Sequence, residues 1–135
     1  MRYSLLIAVM LSACSAKEQA GPAPGTFAGA GRDRLCIAGE GESLRAGLIA
    51  YAAQGDANCS MAGKLERKGE AWVLIPRGEG ECQLALTVDQ SGARIASVPG
   101  ACSYYCGPGA SLAGRSFKRD SKAAQATDFA GSKLC

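Results

Sequence analysis

The residues of this chain best equipped for chemistry are its seven cysteines, at positions 14, 36, 59, 82, 102, 106 and 135, in a sequence that contains no histidine. Cysteine can serve as nucleophile, redox couple, metal ligand or disulfide partner, and spacing discriminates among these roles. Cys102 and Cys106 are separated by Ser103-Tyr104-Tyr105, one residue more than the Cys-x-x-Cys of a redox dithiol at a helix start. A zinc site would have to be all-thiolate, and the paired short loops of a zinc ribbon are missing. Without histidine no Ser-His-Asp or Cys-His arrangement can be assembled, and no neutral base is tuned near pH 7. The nearest paired carboxylates, Glu79 and Glu81, alternate with glycine in the loop Arg77–Glu81 and read as solvated turn residues. That loop matches no phosphate-binding fingerprint, because its glycines are flanked by negative charge. No set of oxygen ligands spaced for calcium is visible either. The reading is therefore of a protein that is not an enzyme and takes no metal or cofactor.

Cys14 stands apart from the other six. One basic residue, Arg2, is followed by the apolar run Leu5-Leu6-Ile7-Ala8-Val9-Met10-Leu11, too short to cross a hydrocarbon core about 30 Å thick as a helix. A short basic start and a short apolar core form a secretion signal. The run ends in Leu11-Ser12-Ala13-Cys14, which resembles the lipobox of bacterial lipoproteins: a branched apolar residue, two small residues and the cysteine that receives lipid. The resemblance implies cleavage between Ala13 and Cys14, diacylglycerol on the Cys14 thiol, and a domain held on a membrane that it does not span. Each buried CH₂ of the acyl chains contributes about 0.8 kcal/mol, and two or three chains anchor stably. In Gram-negative lipoproteins an Asp after the lipidated cysteine favours inner-membrane retention. Ser15 at that position implies the periplasmic face of the outer membrane in such a host.

The remaining cysteines, Cys36, Cys59, Cys82, Cys102, Cys106 and Cys135, are even in number in a chain bound for an oxidising compartment, and three disulfides follow. The composition needs them: glycine is abundant at 18 residues, aromatics make up 6% of the chain, and Trp72 is the single tryptophan. Each bridge would contribute about 2–4 kcal/mol. The formal charge of +3 falls by one when Arg2 is removed, and so mild a balance argues neither for nor against nucleic acid. Export argues against it.

These residues must be positioned by a fold, and the chain divides into a signal peptide (1–13), a lipidated tether (14–32) and a disulfide-rich β domain (33–135). The stretch from Ser15 to Arg32 is rich in Gly, Ala and Pro and reads as a flexible segment with a reach of about 20–25 Å. From Asn58 to Val98 the apolar pattern has a period of two. Cys59, Met61, Gly63 and Leu65 share one face, Lys68-Gly69 supplies a turn, and Ala71–Ile75 is a continuous apolar run ended by Pro76. Cys82, Leu84, Leu86 and Val88 share another face, and Asp89-Gln90-Ser91-Gly92 turns the chain into Ala93–Val98. Arg34–Ile37 adds a strand. Leu44–Ala52 fits either a strand or a helical face of Leu44, Leu48 and Tyr51, with Gly47 weakening both. Ser111–Lys118 would form a closing strand, and Asp120 or Ser121 would cap a short C-terminal helix over Lys122–Ala130. The expected fold is mainly β: a small antiparallel barrel or sandwich, stapled by disulfides, with that one terminal helix.

Counting outward from Ser91 sets Cys82 opposite Pro99 or Gly100, close to Cys102, so Cys82–Cys102 is the preferred bridge. Counting from Lys68-Gly69 sets Cys59 opposite Gly78, and Cys59–Cys82 closes that hairpin about as well. The segment around Cys102-Ser-Tyr-Tyr-Cys106-Gly resembles one found in small bacterial exported proteins with no assigned activity. Its adjacent Tyr104 and Tyr105 are candidate binding residues, since tyrosine offers contact area at small entropic cost. Arg115, Lys118, Arg119 and Lys122 form a basic cluster in sequence that could touch anionic headgroups or a cell-wall polymer, each charge contributing about 1 kcal/mol near such a surface. Lys68-Gly69-Glu70-Ala71 is similar to the Lys-Gly-x-x-Ala stretch of the membrane-bound c-type lysozyme inhibitors, which are small cysteine-bridged β-barrel lipoproteins. The Ser-Gly-x-x-Tyr loop of that family has no counterpart in the sequence. Three functions are therefore expected to compete: an envelope module that binds a protein or a cell-wall polymer, a lysozyme-inhibitor-like periplasmic inhibitor, and a purely structural lipoprotein. For the anchor common to all three, Cys14→Ser is expected to abolish palmitate incorporation and membrane association, which radiolabelling and membrane fractionation would measure.

Overall fold

Alternation along the strands decides the architecture. In Asn58–Lys68 the odd positions Cys59, Met61, Gly63 and Leu65 are buried and the intervening residues are not. The same period runs through Leu84 and Leu86 and through Ala93 and Ile95, whereas in Arg34–Ala38 and Arg45–Tyr51 the inward Leu35, Ile37, Ala46, Leu48 and Ala50 are joined by buried Cys36, Gly47 and Ile49 on the other face. A strand with one apolar face must lay it against another apolar surface. Eight such strands meet that need by curling into a tube around their own side chains.

The computed structural model describes residues 21–78 and 80–135 and contains one closed antiparallel barrel. Its strands are β1 (Gly25–Ala28), β2 (Arg34–Ala38), β3 (Arg45–Tyr51), β4 (Asn58–Lys68), β5 (Ala71–Pro76), β6 (Leu84–Val88), β7 (Gly92–Ser97) and β8 (Ser116–Arg119). Each pairs with its sequence neighbours, and β1 closes the ring on β8 through Phe27 opposite Arg119 and Ala28 opposite Lys118. Phe27, Leu35, Leu48, Leu74, Leu84 and Leu86 are fully buried and fill the inside. Eight strands enclose a space just wide enough for such side chains.

The mainly β, antiparallel, disulfide-stapled architecture expected from the sequence is thus present in its barrel form, with one ambiguity resolved and two departures. Leu44–Ala52 resolves as a strand, and Gly47 sits where the C-terminal tail crosses the outside of the barrel. A Cβ at Gly47 would lie 2.5 Å from the Cβ of Leu134, so only glycine admits the tail. The tail itself is not the expected helix: residues 122–130 are turns and extended chain, with a bridge between Thr127 and Lys133 and the Leu134 amide donating to the Ala126 carbonyl at 3.0 Å. Nine residues make a marginal helix on their own, and the bond from Cys135 to Cys36 holds this segment flat on the barrel wall instead. Finally, Gly25–Ala28, which falls within the stretch read as tether, is a strand. Phe27 is its buried residue and the seam of the barrel needs it. The lipobox, with Ala13 and Cys14, lies outside the described residues, as does Glu79.

A closed barrel has two mouths. The N-terminal mouth collects the entry of β1, the β2–β3 loop, the β4–β5 and β6–β7 turns and the exit of β8. Leu44 plugs it, and Gly21 crosses it so closely that a Cβ there would lie 2.9 Å from Leu44 Cδ2 and 3.5 Å from the Trp72 ring. The opposite mouth collects the β1–β2, β3–β4 and β5–β6 connections and the long β7–β8 connection. Two disulfides lie there, and we call it the cysteine mouth.

The three bridges are Cys36–Cys135, Cys59–Cys106 and Cys82–Cys102, with Cα separations of 6.1, 3.9 and 4.6 Å, none beyond the roughly 7 Å at which a bond becomes impossible. Cys82–Cys102 is the pair favoured by the hairpin count, because β6 and β7 pair in nearly the register that the count assumed, with Ala85 opposite Ser97. Cys59 bonds not to Cys82 but to Cys106, delivered to it by the β7–β8 connection. Non-reducing peptide mapping of the protein purified without reductant is expected to recover these three linked peptides and no free thiol among the six positions.

Candidate functional site

The β7–β8 connection closes the cysteine mouth, and its local structure follows from where its cysteines must go. Gly100–Tyr105 forms a 3-10 turn, with the Cys102 amide donating to the Pro99 carbonyl and the Cys106 amide to the Ser103 carbonyl, both at 3.0 Å. Cys102 is fully buried and bonded to Cys82 at the start of the β6 arm. Cys106 is bonded to Cys59 on β4, and the Gly107 amide adds a 2.8 Å bond to the Asn58 carbonyl. Farther along, Leu112 drops into the mouth and is 1% exposed.

Between those two crosslinks stand the tyrosines, and the structure gives them different jobs. Tyr105 packs over the loop at residues 77–81: its hydroxyl lies 3.4 Å from the Arg77 carbonyl, and a Cβ on Gly80 would come within 3.0 Å of it. Tyr104 meets the Tyr105 ring edge-on, with centroids 5.2 Å apart, and is otherwise 81% exposed. It is the most exposed large hydrophobic side chain among the described residues; Phe129 and Val98 follow at 61% and 39%.

The segment that carries Tyr104 is uncharged. From Ile95 to Gly114 the chain has no Asp, Glu, Lys or Arg, although these make up 20% of the whole sequence. This signal was available in the sequence and names the extent of the cap better than the tyrosine pair does.

The uncharged stretch ends at Arg115, whose role is internal. Its guanidinium donates to Asp33 Oδ2 at 3.0 Å, to the Tyr51 carbonyl at 2.8 Å and, through Nε, to the Ser111 carbonyl at 2.9 Å. Asp33, the one buried charged residue among those described, also accepts from the Tyr51 amide at 2.9 Å. The pair pins the foot of the β7–β8 connection to β2 and β3. Nearby, Arg32 lies 3.9 Å over the Tyr51 ring and is paired with Asp56 at 2.9 Å. The cavity of 360 Å³ that these residues line therefore has its charges already matched with one another.

The basic cluster seen in sequence is taken apart by the fold. Arg119 belongs to the N-terminal mouth, where it donates to the carbonyls of Ala23, Pro24 and Gln90 and lies 4.4 Å from the Phe27 ring. Arg115 belongs to the other mouth. Lys118 points outward between them and, with Arg94, lines an open groove of 560 Å³ on the barrel wall. Asp89 at the rim of that groove has its carboxyl held below the ordinary range by the Ser91 hydroxyl, then by the Ser91 and Gly92 amides. On the opposite wall a hydrogen bond and ion pair with Glu66 raise the Lys64 ammonium above its ordinary value. Glu81 is exposed at the edge of the β5–β6 loop, and no group of three or more His, Cys, Asp or Glu able to hold a metal occurs among the described residues.

Comparisons with known proteins find no matching family model, no matching curated protein and no matching solved structure. The site is thus defined by its own geometry: a rigid, uncharged cap bearing one projecting aromatic ring. Its foot is the Asp33–Arg115 pair, with the Asp33 side chain only 3% exposed. Replacing Arg115 with Met is expected to leave a buried carboxylate uncompensated and to cost about 3 kcal/mol, seen as a lower urea midpoint at unchanged slope. An unchanged midpoint would mean that the pair does not hold the connection.

Proposed function

We propose that this protein is a lipid-anchored lipoprotein of the bacterial envelope, attached through Cys14 at the periplasmic face of the outer membrane, whose barrel is a binding module for another protein. The observation that carries the binding role is Tyr104, left 81% exposed on a turn crosslinked on both sides. An exposed aromatic ring on a flexible loop loses much of its binding energy to ordering, whereas a ring already fixed does not. Interface centres are enriched in tyrosine and depleted of charge, which is the composition from Ile95 to Gly114. A cell-wall glycan is the weaker occupant. Sugar hydroxyls are read by carboxylates, amides and guanidinium groups, and the cap presents none from its own segment.

The inhibitor reading places its surface elsewhere. The residues that carry the resemblance to lysozyme inhibitors, Lys68-Gly69-Glu70-Ala71, form the β4–β5 turn on the N-terminal mouth, with the Lys68 ammonium 2.6 Å from Gln83 Oε1. The purely structural reading gives Tyr104 no task. A photoreactive benzoylphenylalanine placed at position 104 or at position 70 of the lipidated protein in living cells separates the three. The expected result is a discrete protein adduct from position 104 that is absent from position 70. Tyr104→Ala should then weaken binding of the identified, purified partner by at least about 30-fold while leaving the melting temperature unchanged. Adducts from position 70 alone would favour the inhibitor, adducts only to muropeptides the glycan, and no adduct from either position a structural role; each overturns the proposal.

A further inference from the structure

The N-terminal segment leaves the barrel at a defined place. Gly21 lies against Leu44 and Trp72 across the N-terminal mouth, and Arg119 holds the carbonyls of Ala23 and Pro24 at 3.1 and 3.2 Å. The chain direction from β1 back to Gly21 is therefore fixed by the same arginine that braces the seam. The Tyr104 turn lies on the opposite mouth. The separation of the two mouths follows from β4, whose 11 residues at a rise of 3.2–3.4 Å and a tilt of 35–45° give about 28 Å along the barrel axis.

Cys14 precedes Gly21 by seven residues, and even fully extended such a span reaches no more than about 25 Å. If the cysteine mouth were laid on the bilayer, the N-terminal mouth would stand about 28 Å above it, beyond that reach. We infer that the short spacer holds the barrel with its N-terminal mouth toward the membrane and keeps the Tyr104 cap off the lipid surface, so that the partner is met on the side facing away from the anchoring membrane. The inference rests on the lipoprotein reading, since Cys14 must carry the acyl chains. It adds a direction that the anchor alone does not supply, and it makes spacer length a determinant of which partners the cap can reach.

The test uses the full lipidated chain in vesicles of phosphatidylethanolamine and phosphatidylglycerol doped with nitroxide-headgroup lipid. A fluorophore is attached through an azidophenylalanine at Glu70, on the N-terminal mouth, or at Ser103, on the cap. Quenching is expected to be several-fold stronger at position 70. A second form of the protein with a Gly-Ser insert of about 20 residues before Gly21, whose mean span of about 25 Å removes the length limit, is expected to narrow the difference. Equal quenching at the two positions with the native spacer, in protein that does partition into vesicles, overturns the orientation and leaves the anchor standing. Failure of the wild-type chain to acquire lipid or to partition overturns both.

Discussion

The pairing of β1 with β8 turns a twisted sheet into a tube, and every other feature of the molecule depends on that closure. The two strands have four residues each and meet at only two register pairs. An open sheet of this size would present two unpaired edges and an inner face with nothing to cover it. The seam is accordingly reinforced from its side chains: Phe27 is buried beneath it, and Arg119 reaches from β8 to the backbone of Ala23 and Pro24 that leads into β1 while lying against the same ring. Closure moves the exposure problem from the edges to the mouths. The irregular parts of the chain are accounted for by the mouths, with Leu44 and the Gly21 strap at one and Leu112 and two disulfides at the other.

That division explains what was legible in the sequence. Between Asn58 and Ser97 the strands other than Ala71–Pro76 have a period of two because each contacts the core on one face, and their turns follow from Lys68-Gly69 and Asp89–Gly92. A hairpin count then carries far enough to pair Cys82 with Cys102. Features set by contacts distant in sequence were hidden. Nothing near Gly25–Ala28 marks it as a strand, because its partners lie at Arg34–Ile37 and at Lys118–Arg119. The alanine-rich tail reads locally as a helix, and contacts invisible to local pattern, the buried Ala126, the Thr127–Lys133 bridge and the bond to Cys36 99 residues away, keep it extended. Arg115 and Arg119 look alike on paper, yet one is consumed by Asp33 and the other by backbone carbonyls at the opposite mouth.

The candidate site shows the same logic in reverse. Most polar groups at the cysteine mouth are matched internally: Asp33 with Arg115 and Tyr51, Arg32 with Asp56. Tyr105 is spent on packing. Tyr104 is the large side chain that folding does not use, although folding holds it in place at both flanks. The interior is filled by its own side chains, unlike that of eight-stranded barrels that enclose a ligand.

The order of the bridges along the chain has its own consequence. Cys82–Cys102 lies inside Cys59–Cys106, which lies inside Cys36–Cys135, so the three loops are nested like parentheses and none crosses another. A chain threaded into an oxidising compartment from its N-terminus exposes Cys36 and then Cys59 long before their true partners arrive. Joining cysteines in order of appearance would yield Cys36–Cys59, Cys82–Cys102 and Cys106–Cys135, correct in the innermost loop alone. Under the export proposed for this chain, maturation of the barrel becomes a problem of restraint and repair: the early thiols must be left unpaired until the later sequence has emerged, or an isomerase must undo what a fast oxidant has made.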